Sequence, residues 1–261
     1  MFSRRYALII PALNEAEAIG ELLRQIPRQM FAQVIVADNG STDGTAAAAR
    51  EARAEVVCEP RRGYGNACLA AMVTLDPSVN AVAFMDADLS DDPLDLPRLA
   101  ERFEADSLDL IIGSRVLGNP EPGALTPLQR FGNALTSLLI RWIWGVAFTD
   151  LGPMRIISRQ ALDRLRMSDP NYGWTVEMQA KAARLRMKVA ELPVAYRRRR
   201  LGKSKVSGTV TGSVRAGIKI LWTVYRSWRT DLDEPDARAS SADCHPHASG
   251  GPTPGFPPSR E

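Results

Sequence analysis

The sequence is poor in the residues that build disulfide frameworks and zinc sites. It has three cysteines, Cys58, Cys68 and Cys244, and two histidines in 261 residues. The cysteines are odd in number and show none of the spacings typical of a metal site. They predict reduced thiols and therefore a cytoplasmic protein. His245 and His247 follow Cys244 in a polar segment, which favours a solvated tail over a metal site there.

Long apolar runs and leader segments are also missing. The N-terminal MFSRRYALII leads into a strand-like run without a cleavage site, so we expect no signal peptide. The longest apolar stretch, 135–148, is too short to cross a bilayer and is interrupted by Arg141. The chain has no Gly-Lys-Ser/Thr phosphate loop and no Gly-x-Gly-x-x-Gly turn after its first strand, which disfavours Walker-type and NAD-binding enzymes.

Positive charge is concentrated in the first 230 residues. The formal net charge is +3, but residues 231–261 hold six acidic and two basic side chains, so residues 1–230 carry +7. This excess suits anionic partners such as nucleotide phosphates, a lipid phosphate or an anionic membrane surface, and we expect no nucleic-acid partner. Residues 231–261 are rich in proline, glycine and serine, which predicts a disordered tail.

The first half of the chain alternates between β-rich and helical segments. Strands are predicted at 6–11, 33–38, 55–59, 81–86 and 108–114, and helices between them at 15–25, 43–53, 65–75 and 94–104. This alternation predicts an α/β fold with a mostly parallel central sheet between two helical layers, a Rossmann-like αβα sandwich. Polar clusters follow four of the strands, and in such sheets the carboxyl ends of the strands form the ligand site. The second half predicts helices at 126–147, 158–165 and 174–186 and a strand at 189–196.

The strongest of these clusters is DADLSDDP, which follows the fourth predicted strand. Asp86 and Asp88 are two positions apart at a strand end, so their carboxylates point the same way. Paired carboxylates with room for water and phosphate oxygens suit Mg²⁺ or Mn²⁺. Asp91 and Asp92 precede Pro93 and are expected to start a helix, because acids there complement the helix dipole.

Two other loops carry features that suit a nucleotide. Asp38 ends a buried strand in VADNGSTDGT, where a carboxylate can accept bonds from a base or ribose, although a plain turn with a helix cap also explains the segment. Arg62 and Gly63 stand in RRGYGNA at a loop-to-helix junction. Backbone N–H groups at a helix start, together with arginine, suit a phosphate.

The ordered motifs IIPALNEAEAI, VADNGSTDGTA, RRGYGNA, FMDADLSDDP, DLIIGSR, TDLGPMRIISRQAL, GWTVEMQAKAARL and RRLGKSK resemble the family 2 glycosyltransferases of GT-A fold, and among them the polyprenyl or dolichyl phosphate mannose and glucose synthases. The resemblance covers about residues 5–210. It implies a metal on Asp86 and Asp88, with Asp88, Arg115 and Glu177 as the catalytic candidates. It further implies a nucleotide-sugar set of Pro11, Ala12, Asn14, Glu15, Asp38, Asn39, Arg62, Gly63, Asp86, Ala87 and Asp88, and an acceptor-phosphate set of Arg115, Arg130, Arg155, Arg200, Ser204 and Lys205.

Three positions depart from that family's usual pattern. Asn39 stands where a second acid is common, and Ser90 stands where many relatives have a metal-binding amide. GPMR, which contains Arg155, replaces Gly-Phe-Arg. The departure at Ser90 puts a third side-chain ligand for the metal in question.

Residues 213–228 predict a basic amphipathic helix. Val214, Ile218, Leu221, Tyr225 and Trp228 fall on one stripe, with basic residues beside it. The pattern is compatible both with lying on an anionic membrane and with packing on the domain core. We therefore expect a catalytic domain at 1–210, this helix within 211–230 and the tail at 231–261.

These observations predict an inverting, metal-dependent transfer of mannose or glucose from GDP or UDP to a polyprenyl phosphate, by an enzyme peripheral on the cytoplasmic membrane face. If the acceptor is instead a hydroxyl, soluble or on another lipid, Glu177 is the candidate base, although Lys181 at i+4 also suits a simple ion pair. A sugar nucleotidyltransferase and a non-enzymatic metal- or membrane-binding module are further alternatives. The sequence leaves the oligomeric state open.

Overall fold

A sheet of seven strands forms the centre of the molecule, in the order β3-β2-β1-β4-β6-β5-β7. The computed structural model describes residues 2–199 and 221–229. The strands are β1 Tyr6–Ala12, β2 Phe31–Asp38, β3 Glu55–Cys58, β4 Ala81–Phe84, β5 Leu110–Ser114, β6 Arg155–Ser158 and β7 Val189–Pro193. Strand β6 runs antiparallel to both β4 and β5, whereas the other pairings are parallel. The predicted mostly parallel α/β fold is confirmed, and β6 is a strand that the sequence analysis did not predict.

Helices cover both faces of the sheet. They are α1 Ala16–Gln25, α2 Thr45–Glu51, α3 Tyr64–Val73, α4 Asp95–Ala105, α5 Pro127–Trp144, α6 Arg159–Leu165 and α7 Trp174–Arg184, followed by a helix at 221–229. None of the helices in the described ranges has the length and apolar character needed to cross a membrane. The two cysteines in those ranges, Cys58 and Cys68, are both unpaired.

Strand β1 shows why the sheet needs cover on both sides. Its alternate residues enter two different cores, with Leu8 in the core under α1 and α4, and Ile9 in the core under α3 and α7. All seven residues of the strand are buried. A parallel strand buried on both faces carries a continuous apolar run, which explains YALIIPA.

The parallel register brings several strand ends to one edge of the sheet. Ala12 at the end of β1 pairs with Asp38 at the end of β2, and β1 also pairs in parallel with β4. The polar segments after β1, β2 and β4 therefore emerge side by side, as predicted for this fold.

Candidate active site

A cavity of about 580 Å³ opens at this edge of the sheet. Its walls come from the segments that follow β1, β2, β3, β4 and β5, from the start of α5, and from the segment after β7. Ten of the predicted site residues line it: Pro11, Ala12, Glu15, Asn39, Arg62, Gly63, Asp86, Ala87, Asp88 and Arg115. Arg200, Ser204 and Lys205 lie outside the described residues.

The paired carboxylates lie in the wall of the cavity. Asp88 Oδ1 accepts a hydrogen bond from the backbone N–H of Ser90 at 3.0 Å. Asp86 Oδ1 is buried and accepts no hydrogen bond from the described residues. Burial, reinforced by the negative charge of Asp88, raises the pKa of Asp86 to about 7. The nearby charges of Arg115 and Arg199 and the hydroxyl of Tyr64 lower the pKa of Asp86 by less than burial and Asp88 raise it.

The donor set of this pair fits a hard divalent cation. The described residues contain no group of three or more His, Cys, Asp or Glu side chains placed to hold a metal ion. Two carboxylates beside an open cavity are what Mg²⁺ or Mn²⁺ uses when water and substrate phosphate supply its other ligands. The unpartnered Oδ1 of Asp86 is the observation that supports this fit.

Asp91 is a third acid at this place. It is only 2% exposed, and neither of its carboxylate oxygens has a hydrogen-bond partner among the described residues. Burial, followed by the charge of Asp86, raises its pKa well above the ordinary range. The expectation that Asp91 starts a helix is wrong, since α4 begins at Asp95 and Asp91 pairs instead with Tyr196 in an isolated β-bridge.

Arg199 places positive charge beside Glu15 and Asp88. Its guanidinium forms an ion pair with Glu15, and its Nε lies 3.8 Å from Asp88 Oδ2. The sequence analysis placed Arg200 in the site and missed Arg199. A run of four arginines gives no signal that distinguishes which members face inward.

The segment 194–199, which we call the arm, closes one side of the cavity. The N–H of Arg197 donates to the carbonyl of Ser90 at 2.8 Å, and its side chain pairs with Asp92 at 2.7 Å. On the other side, the N–H of Arg198 donates to Glu121 Oε2 at 2.7 Å. The arm thus connects the acidic segment after β4 to the segment before α5.

Arg115 lines the cavity but is paired with an acid from elsewhere in the chain. Its Nε lies 2.7 Å from Asp150 Oδ2 and its Nη2 lies 2.8 Å from Asp150 Oδ1. The guanidinium also lies over the ring of Tyr196, with 4.9 Å from Cζ to the ring centre. Asp150 was not among the predicted site residues.

The predicted nucleoside contacts build the opposite wall. The Asn39 side chain donates to the carbonyls of Glu59 and Arg61 and accepts from the N–H of Gly63 at 2.7 Å. At Gly63 the backbone φ is 139°, and a Cβ there would lie 2.1 Å from the carbonyl oxygen of Pro170, so only glycine fits. Asn39 therefore fixes the phosphate-loop candidate 61–67 in place.

Asn14 and Asp38 are placed just behind that wall. Asn14 Oδ1 accepts from the N–H of Thr42 at 2.8 Å, and Asp38 Oδ1 accepts from the N–H of Ser41 at 3.1 Å. Neither residue lines the cavity. Both hold the segment after β2, and contact with the nucleoside stays a prediction for them.

Arg155 and Arg130, both predicted for the acceptor phosphate, do not line this cavity. Arg155 is fully buried and donates to the backbone carbonyls of Thr175 and Gly152, and burial lowers its pKa to about 10. The contact of Arg155 with the acceptor phosphate therefore stays a prediction. Arg130 is exposed and lines a second, smaller cavity of about 170 Å³.

Glu177 is held inside the protein. It is 4% exposed, pairs with Lys181 at 2.8 Å, and accepts from the N–H groups of Ser168 and Asp169. It does not line the cavity. The simple ion pair that the i+4 spacing allowed is therefore present.

The part of the predicted amphipathic segment that the structure describes is a helix at 221–229. Val224 is buried in a small cluster with Leu151 and Val176, so one face packs on the domain. The opposite face exposes four large apolar residues at 41–58%: Leu221, Trp222, Tyr225 and Trp228. Three of these four belong to the stripe predicted from the sequence.

Comparison with known proteins identifies the family. The model of the family described as "Glycosyl transferase family 2" matches residues 7–166. An uncharacterized glycosyltransferase of Mycobacterium tuberculosis is 38% identical over 218 residues, which are 83% of this chain and 96% of that relative.

Two further relatives are named for lipid-linked sugars. An undecaprenyl-phosphate mannosyltransferase of Micrococcus luteus is 29% identical over 239 residues, covering 86% of this chain and 96% of the relative. A dolichyl-phosphate hexose transferase of Haloferax volcanii is 30% identical over 210 residues, covering 79% and 89%.

The fold is shared with solved enzyme structures. Glucosyl-3-phosphoglycerate synthase of M. tuberculosis, in complex with Mn²⁺, UDP-glucose and phosphoglyceric acid, aligns with a TM-score of 0.70 at 21% identity. The alignment covers 90% of this chain and 82% of that one. At this identity the likeness establishes the fold alone.

Proposed function

The chain belongs to the family 2 glycosyltransferases, and from that premise we propose that it transfers mannose or glucose from a GDP-sugar or UDP-sugar to a polyprenyl phosphate. The transfer inverts the anomeric carbon and releases GDP or UDP. The observation that carries the proposal is the pair Asp86 and Asp88 in the wall of the cavity, with one buried oxygen that lacks a partner. Membership of an enzyme family sets aside a non-enzymatic module and a nucleotidyltransferase.

The leaving group is a nucleoside diphosphate, and its growing negative charge is the main change in the reaction. A Mg²⁺ or Mn²⁺ ion held by Asp86 and Asp88 would stabilise that charge. Arg62 lines the cavity at the loop before α3 and would bind the same diphosphate. Arg199 also lies close to Asp88, with 3.8 Å between its Nε and Asp88 Oδ2.

The acceptor determines whether a base is needed. A phosphate is already anionic at neutral pH, so it requires cationic positioning instead of proton removal. Arg115 lines the cavity and is the cation in the described wall that we assign to this task. The placement of Glu177 in a buried pair with Lys181 supports an acceptor that needs no base.

An exposed apolar surface supports a lipid acceptor. Helix α5 exposes Leu128, Phe131, Leu138 and Trp142, which fall on one stripe and reach 81% exposure at Trp142. The aromatic face of helix 221–229 is similarly exposed. Aromatic stripes of this kind suit the interface of a bilayer, and we propose that the enzyme binds peripherally to an anionic membrane surface.

A soluble phosphorylated acceptor is the second candidate. The solved glucosyl-3-phosphoglycerate synthase holds phosphoglyceric acid in complexes that also contain UDP-glucose and Mn²⁺. The cavity of this chain, of about 580 Å³, is lined by cations that would also suit a soluble phosphorylated acceptor, such as Arg62 and Arg115. The two candidates differ in the acceptor and share the donor chemistry.

A donor and acceptor panel tests the proposal. GDP-mannose, GDP-glucose, UDP-glucose and UDP-mannose are each incubated with undecaprenyl phosphate or phosphoglyceric acid, with Mg²⁺, Mn²⁺ or EDTA. We expect an organic-extractable labelled product with one donor, its loss in EDTA, and a fall of at least about 100-fold for Asp88→Asn. Asp163→Asn is the control, because Asp163 is an exposed acid on α6 that does not line the cavity. If labelled product forms only with phosphoglyceric acid and stays in the aqueous phase, the lipid acceptor is refuted and the soluble acceptor is supported.

A further inference from the structure

The side chain of Asp150 is the most fully bonded carboxylate near the cavity. Its Oδ2 accepts from Nε and from the backbone N–H of Arg115, and its Oδ1 accepts from Arg115 Nη2. Oδ1 also accepts from Asn133 Nδ2 at 2.6 Å and from the N–H of Leu151 at 2.8 Å. Five donors therefore converge on two oxygens, which more than fills the about four lone-pair sites of an ionised carboxylate.

The backbone of Asp150 is fixed as well. Its N–H donates to Glu191 at 3.3 Å, and its carbonyl accepts from the side chain of Gln179 at 2.9 Å. Asp150 is 0% exposed and Arg115 is 9% exposed. Neither member of the pair can shift without breaking several buried hydrogen bonds.

This arrangement leaves one edge of the Arg115 guanidinium available. Nε and Nη2 are both bonded to Asp150, whereas Nη1 makes no hydrogen bond to a described residue. The plane of the group is set by the two-point contact with Asp150 and by the ring of Tyr196. Since Arg115 lines the cavity, the N–H groups of the edge that carries Nη1 are the donors that a ligand there can use.

We propose that Asp150, supported by Asn133, is a positioning residue that holds Arg115 with its Nη1 edge toward the phosphate of the acceptor. The proposal rests on the proposed function, because it takes the acceptor to be a phosphate. Asp150 does not touch the substrate in this scheme and acts through Arg115.

Neutralising Asp150 changes the affinity for phosphate in opposite directions under an electrostatic and under a positioning role. The carboxylate cancels the charge of Arg115, so a purely electrostatic effect would make a phosphate bind more tightly once Asp150 is neutralised. A positioning role predicts the opposite, since asparagine offers an N–H₂ group to donors and cannot accept all five bonds. Phosphate binding then weakens although the site becomes more positive.

Binding and turnover of Asp150→Asn test this directly. Calorimetry measures the affinity for farnesyl phosphate and for phosphoglyceric acid, in the presence of Mn²⁺ and the nucleotide that the enzyme uses. We expect the affinity for the phosphate ligand to fall by about tenfold, the donor affinity to change by less than about twofold, and the acceptor KM to rise more than kcat falls. Asp163→Asn is the control, because Asp163 is exposed on α6 and pairs with Arg159, away from Asp150 and Arg115.

The outcomes separate this proposal from the proposed function. Unchanged or tighter phosphate binding by folded Asp150→Asn would overturn the positioning role, as would a wild type that binds neither phosphate. A wild type that binds farnesyl phosphate but transfers no sugar to polyprenyl phosphate leaves Asp150 supported and refutes the lipid product. If Asp150→Asn does not fold, Asn133→Ala removes one donor to Oδ1, and we expect an affinity loss of about threefold; no loss would overturn the proposal.

Discussion

Replacing Asp86 by asparagine should stabilise the metal-free protein while it abolishes transfer. The carboxylate of Asp86 is held in a place that disfavours its charge, because it is buried beside Asp88 and its Oδ1 has no hydrogen-bond partner in the described structure. Asparagine has nearly the same shape and no charge. The site therefore holds a negative charge that costs folding free energy unless a cation balances it.

The size of the effect follows from the pKa. Asp86 ionises at about 7 in the folded protein and near 3.8 when unfolded. The folded state therefore binds more protons than the unfolded state between these values, and stability falls as the pH rises through that window. A difference of about three pKa units corresponds to about 4 kcal/mol at pH 8 and to only about 1 kcal/mol at pH 4.5.

Urea unfolding in EDTA measures the difference. We expect Asp86→Asn to be more stable than the wild type by up to about 4 kcal/mol at pH 8, with a gap that narrows as the pH is lowered. Asp163→Asn is the control, because Asp163 is exposed and its pair with Arg159 contributes less than about 1 kcal/mol. Added Mn²⁺ should stabilise the wild type and leave Asp86→Asn unchanged. The reasoning is refuted if Asp86→Asn and the wild type have the same free energy of unfolding at pH 8, or if their difference does not depend on pH.

Three further predictions concern neighbouring features. Arg199→Gln should bind Mn²⁺ several-fold more tightly in the absence of nucleotide, because its guanidinium shares Asp88 with the metal; weaker binding, measured by electron paramagnetic resonance, would contradict this competition. Glu177→Gln should lose about 3 kcal/mol of stability by leaving the buried Lys181 unpaired, whereas a base would lose kcat with stability intact. Trp142→Ser should reduce sedimentation with anionic vesicles but keep activity on a detergent-dispersed acceptor, and equal recovery with neutral and anionic vesicles would argue against an anionic surface.

Much of the fold can be predicted from the sequence because local patterns specify it. The apolar runs of β1, β2 and β4 and the amphipathic helices between them are each visible within about ten residues. Strand β6 is different, since RIIS at 155–158 is short and lies between a loop and a helix. Its partners β4 and β5 select it as an antiparallel strand, and that information lies outside the segment.

The candidate site likewise contains residues that a local sequence pattern predicts and residues that only distant contacts place there. Asp86 and Asp88 can be found because a strand end and an i, i+2 spacing place both carboxylates together. The pairing of Arg115 with Asp150 joins residues 35 positions apart through a helix and a loop, so no local pattern reports it. Arg199 is likewise chosen from an arginine run by the position of the arm against the sheet edge.

The distribution of charge around the cavity connects these observations. Asp150 is balanced by Arg115, Asp92 by Arg197, and Glu15 by Arg199. Asp86 and Asp91 have buried oxygens without a described hydrogen-bond partner, and Asp88 accepts from the N–H of Ser90 and lies 3.8 Å from Arg199 Nε. Buried carboxyl groups without a hydrogen-bond partner are rare in folded proteins, because ionising them costs several kcal/mol, so a cluster of them at a sheet edge indicates a ligand of positive charge. A cation that balances the cluster is also what a departing nucleoside diphosphate requires. The same electrostatic demand therefore accounts both for the folding cost of the acidic cluster and for the chemistry proposed there.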